Sequence, residues 1–94
     1  MSGIVARSME LFFFIPHARS LKEKRMVARS LIEKARRRFN ASIAEVDTQE
    51  LHQMLTVGVA VVSGDAAHAR AMLEEIVRAM EEMADAELVS VRYE

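Results

Sequence analysis

The sequence predicts an α+β fold of six elements in the order β, α, β, β, α, β. Three observations carry that reading. Apolar residues alternate near the N-terminus and again at the C-terminus, the mark of half-buried strands. Two apolar stripes recur at helical spacing, and a residue suited to capping opens each. A run rich in β-branched residues lies between the helices, without the 3.6-residue period of a helix.

Residues 4–15 form the first predicted strand. Val5, Met9, Leu11, Phe13 and Ile15 share one face with Arg7, while Phe12 and Phe14 fall on the other, and Pro16 ends the strand. Ser20 and Glu23 make a capping box, with the Ser20 side chain accepting from the amide of residue 23 and Glu23 reaching back. Behind it, Leu21, Ala28, Leu31, Ile32, Ala35 and Phe39 trace an apolar stripe. Arg36, Arg37 and Arg38 suit the negative end of the helix dipole, and Asn40 is the expected left-handed cap.

Residues 41–46 read as a short, weakly patterned strand, expected at a sheet edge, and residues 47–53 as a polar connection. Residues 55–62 read as a well-buried strand. Asp65 caps a second helix whose stripe is Ala69, Met72, Leu73, Ile76, Val77, Met80 and Met83. In residues 87–93, Val89, Val91 and Tyr93 alternate against Leu88, Ser90 and Arg92. This order is the split βαβ pattern of ferredoxin-like domains. Right-handed crossovers then give an antiparallel sheet ordered 4-1-3-2 with both helices on one face. The whole of residues 1–94 is expected to be one domain.

Composition narrows the function classes. The longest apolar run, residues 11–15, falls far short of the roughly 18 needed to cross a bilayer, and no signal peptide is expected. Cysteine is absent, which excludes disulfides and thiolate chemistry and fits a cytoplasmic protein. The net charge of −1 conceals a polarised chain. Nine Lys and Arg crowd residues 17–38, leaving that block at +7, while residues 39–94 sum to −8. Such a basic block points to an anionic partner, although opposed charges could equally meet between protomers or simply be solvated.

On a helical projection Lys22, Arg25, Arg29 and Arg36 flank one side of the stripe, and Lys24, Lys34 and Arg38 the other. Arg19, Lys22, Arg25, Arg29 and Arg36 are therefore the candidate anion- or RNA-binding residues. Arg and Lys stems also cover apolar margins as a matter of course. Phe12 and Phe14 form an apolar patch on the uncovered sheet face, a candidate homodimer interface. The third strand offers no aromatic to pair with them, so the base-stacking platform of RNA-recognition domains is excluded. Glu45, Asp47, Gln49, Glu50, His52 and Gln53 make a polar segment of unknown role. One histidine among scattered acids is too little to assign catalysis or a metal, and no cofactor is expected.

Ile15-Pro16, the run Ala18-Arg19-Ser20-Leu21-Lys22-Glu23-Lys24-Arg25, Arg38-Phe39-Asn40, Ala44-Glu45-Val46-Asp47 and residues 58–63 together resemble the YlxP-like family of small bacterial proteins, a domain of unknown function. The likeness covers nearly the whole chain. Where that family usually has Gly this chain has His17; Thr48 and Glu50 replace its usual His and Asp, and His52 replaces an aromatic. The resemblance implies a ferredoxin-like fold and, from the company its genes keep, an RNA- or ribosome-related setting. The expectation is a non-enzymatic binding module that is a homodimer, with RNA or the ribosome as partner and neither DNA nor membrane. The competing expectation is a protein-interaction domain without a nucleic-acid role.

Overall fold

The computed structural model describes residues 3–94. Six elements follow one another: β1 (Val5–Phe14), α1 (Leu21–Arg38), β2 (Ser42–Val46), β3 (Met54–Ser63), α2 (Ala66–Met83) and β4 (Glu87–Tyr93). The strands form one antiparallel sheet ordered β2-β3-β1-β4, the expected order read from the other edge.

Alternation sets the two faces of the sheet. Met9, Leu11 and Phe13 of β1 and Leu55, Val57, Val59 and Val61 of β3 are buried, and they stand opposite one another in register, Leu11 against Val57 and Met9 against Val59. Ile43 of β2 continues that face, and Ala28, Leu31, Ile32 and Ala35 of α1 join Ala69, Leu73, Ile76 and Met80 of α2 in the same cluster. Burying each of the large side chains among them stabilises the fold by about 1.5–3 kcal/mol.

Capping bounds both helices. The Ser20 hydroxyl accepts from the Glu23 amide at 3.1 Å, as expected. The return bond differs: Glu23 Oε2 accepts from the Arg19 amide at 2.8 Å rather than from Ser20, so the box closes one residue earlier. Asp65 accepts from the His68 amide at 2.8 Å and opens α2. The expected left-handed cap at Asn40 is not formed. Phe39 takes that place in extended backbone, φ −121°, with its amide donating to the Ala35 carbonyl at 2.9 Å. Because β2 follows within three residues, the chain leaves α1 already extended. Among the described residues other than glycine, only Asp47 has a positive φ, 61°, at the turn that leaves β2.

Two expected packing positions also change. Leu21 is half-exposed and lies outside the buried cluster, whereas Lys24, one turn on, is buried. In β4 the simple alternation fails. Phe12 pairs with Ser90 but Phe13 pairs with Leu88, so Val89 is an extra residue in a β-bulge. The bulge moves Leu88 onto the helix-covered face beside Val91 and leaves Val89 67% exposed. Local alternation cannot reveal such an insertion, because it depends on the partner strand.

Phe12 and Phe14 lie on the uncovered face, as their parity requires. Phe12 is half-buried, beside the fully buried Thr56, while Phe14 is 37% exposed and pairs across the ladder with Met54, itself 49% exposed. No helix among the described residues is long and apolar enough to cross a membrane.

Leu31 belongs to the core cluster that α1 shares with the sheet and with α2, and it is almost wholly buried. Leu31→Ala should lower stability by about 2–5 kcal/mol, read as a shift of the urea midpoint at unchanged slope. A loss under about 0.5 kcal/mol would mean that this face of α1 is not buried.

Candidate nucleic-acid interface

Helical spacing brings the candidate cations of α1 onto one exposed ridge. Residues 25, 29 and 36 are four and seven apart, so their side chains leave α1 within a narrow sector. Arg25, Arg29 and Arg36 line a groove of about 290 Å³ between α1 and β2, with Ala28 and Ile32 as apolar wall and Glu33 and Glu45 as its acidic members. Lys22 and Arg19 continue the ridge toward the start of the helix, both exposed. None of Arg19, Lys22, Arg25, Arg29 and Arg36 has an ion-pair partner among the described residues. Arg36 is nevertheless held in place, because its Nε donates to the Ile43 carbonyl at 2.9 Å.

Lys24 is the correction to the expected surface. Rather than standing on a solvated shoulder, its side chain is 0% exposed. Its Nζ lies 2.6 Å from Glu45 Oε2 and donates to the carbonyls of Thr48 at 2.6 Å and Leu51 at 2.8 Å. An ammonium carries three protons, and here each has an acceptor. The signal was present in the sequence: Ala28, Leu31 and Ala35 continued back by one turn land on position 24, inside the stripe rather than beside it.

That ammonium accounts for much of the polar segment. Glu45 is its ion-pair partner, and Thr48 is built into the same turn, accepting from the Thr56 amide at 2.7 Å. Gln49 Nε2 donates to the Glu45 carbonyl at 3.4 Å, and Gln53 Nε2 to the Pro16 carbonyl at 3.1 Å. Asp47 and His52 are exposed, and neither is drawn into a cluster. No group of three or more His, Asp or Glu able to hold a metal is gathered among the described residues. The segment thus forms a clamped loop, with Lys24 and Thr48 as the residues that sequence reasoning missed.

On the uncovered sheet face a second polar contact occurs. Glu10 Oε1 accepts from Arg92 Nη2 at 2.5 Å, and that guanidinium lies 5.9 Å from the centre of the Phe12 ring. The Arg92 hydrogen bond holds the Glu10 carboxyl below the usual carboxylate range, against desolvation, which raises it. The contact partly covers Phe12, so Phe14 and Met54 are the more open part of the patch.

A small α+β protein with a basic helix beside a clamped loop is the class that the fold and these surfaces define. The chain belongs to the family described as protein of unknown function DUF503, whose model matches residues 7–93. It is 30% identical over 77 residues to the uncharacterized protein YlxP of Bacillus subtilis (strain 168), an alignment covering 82% of this chain and 84% of that one.

Removing Lys24 should be costly, because Glu45 would lose its counter-ion and two carbonyls their donor. Lys24→Met is expected to lose about 3–5 kcal/mol in urea denaturation, and Lys24→Met/Glu45→Met distinctly less, since no charge is then left unpaired. Equal losses in the two variants would contradict the ion-pair assignment.

Proposed function

We propose that this protein is a non-enzymatic binding module, of ferredoxin-like arrangement, that takes the sugar–phosphate backbone of RNA along α1. The observation that carries this reading is the ridge of Arg19, Lys22, Arg25, Arg29 and Arg36, cations without ion-pair partners among the described residues, in a chain whose residues 39–94 are strongly acidic. Unneutralised cations in a row attract a polyanion and release its counter-ions on contact. Contacts to phosphate position a partner without reading its sequence, which suits a surface that lacks stacking aromatics. On this reading the partner is cellular or ribosomal RNA in the cytoplasm.

Binding to a fluorescent single-stranded RNA should weaken steeply as salt rises. Arg25→Ala/Arg29→Ala should flatten the slope of log affinity against log salt by about one unit per lost contact. Binding that is indifferent to salt, or to these substitutions, would exclude the backbone reading.

The exposed Phe14–Met54 pair favours a second reading, self-association through the uncovered sheet face. Under it the protein sediments as a dimer at micromolar concentration, and Phe14→Ser/Met54→Ser gives a folded monomer. A monomeric wild-type protein would overturn it.

A further inference from the structure

The groove between α1 and β2 carries two opposite chemistries face to face. Arg25, Arg29 and Arg36 form its cationic side, and Arg36 is anchored by the Ile43 carbonyl, so its terminal nitrogens remain available as donors. The other side presents Glu45. The Lys24 ammonium holds Glu45 through Oε2 at 2.6 Å, which fixes the carboxylate and leaves Oε1 of this groove-lining residue as the oxygen able to accept from a ligand. Between them Ala28 and Ile32 supply an apolar surface.

Lys24 neutralises Glu45 from behind, and the groove's other carboxylate, Glu33, is outnumbered by Arg25, Arg29 and Arg36, so the groove stays net positive toward an entering anion. A ligand matched to all three features has a phosphate, a flat body and a hydrogen-bond donor turned away from the phosphate. A nucleotide whose base bears an exocyclic amino group has this form. A carboxylate accepts from the cytosine amino group, whereas uracil presents carbonyl oxygens at the corresponding edge, which a carboxylate repels.

We propose that the α1–β2 groove is a nucleotide subsite in which Arg25, Arg29 and Arg36 hold a phosphate and Glu45 accepts a hydrogen bond from the amino group of the base, so that cytosine is preferred over uracil. The proposal rests on the reading that α1 binds RNA, and adds base selectivity to it. Glu45 is pre-organised for that task, since its rotamer is held before any ligand arrives.

The test compares fluorescent eight-residue oligocytidylate and oligouridylate at low salt. The wild-type protein should bind oligocytidylate about fivefold or more tightly. Glu45→Gln, whose amide can both donate and accept, should bring the two affinities within about twofold. Because that substitution touches the Lys24 pair, amide shift mapping of the wild-type protein gives an independent readout, with oligocytidylate expected to move Ile43, Glu45 and Arg36. Equal affinity of the wild type for the two oligomers, with steep salt dependence retained, overturns the subsite and leaves the backbone reading standing. A folded Glu45→Gln protein that keeps the preference, or shifts confined to another face, also overturns it. Failure of both oligomers to bind overturns the RNA reading and the subsite together.

Discussion

The Lys24 ammonium is the point at which the connection between β2 and β3 is tied to α1. An isolated charge in an apolar layer would cost several kcal/mol, so its burial demands three well-placed acceptors. The chain supplies them from one turn: the Glu45 carboxylate and the carbonyls of Thr48 and Leu51. This demand constrains more than the loop. It sets where β2 must end, orients Glu45 toward the helix, and places Thr48 so that its hydroxyl meets the first residues of β3. The groove beside α1 takes its shape from the same contact.

Charge is distributed accordingly. Lys24 is spent on the interior, so the cations left on the surface of α1 stand mainly on the β2 side and along its last turn, with Lys34 on the side toward α2. Arg38 lies over the Phe39 ring at 5.2 Å and extends the basic end of the helix over the start of the next connection. Most acidic residues lie outside α1, and on α2 Glu74, Glu75, Glu81 and Glu82 stand exposed and outnumber Arg70 and Arg78. The two helices therefore present surfaces of opposite sign, which favours a partner that approaches from one side only.

Much of the architecture was legible in the sequence, because its determinants are local. Ser20 and Asp65 announce their helices through side chains that can reach an amide three residues on, and parity alone puts Met9, Leu11 and Phe13 together. What escaped the sequence depends on distant partners. Helical spacing places position 24 inside the apolar stripe, but the acceptors that let a lysine occupy it, the Thr48 and Leu51 carbonyls 24 and 27 residues away, are supplied only by the fold. Val89 looks like a core residue until its register against β1 is known. The candidate cations were legible as a row, but the groove they share with Glu45 was not, since it requires a strand edge to lie beside the helix.

The bulge at Val89 and the arginine at position 36 occupy opposite margins of the same sheet. On β4, the extra residue interrupts the even spacing of backbone groups that an added strand would need. On β2, the Arg36 guanidinium already occupies the Ile43 carbonyl. Both open edges are thereby blunted, and the sheet resists growth by adding strands from other copies. A sheet protected in this way is poorly suited to seed open-ended fibres.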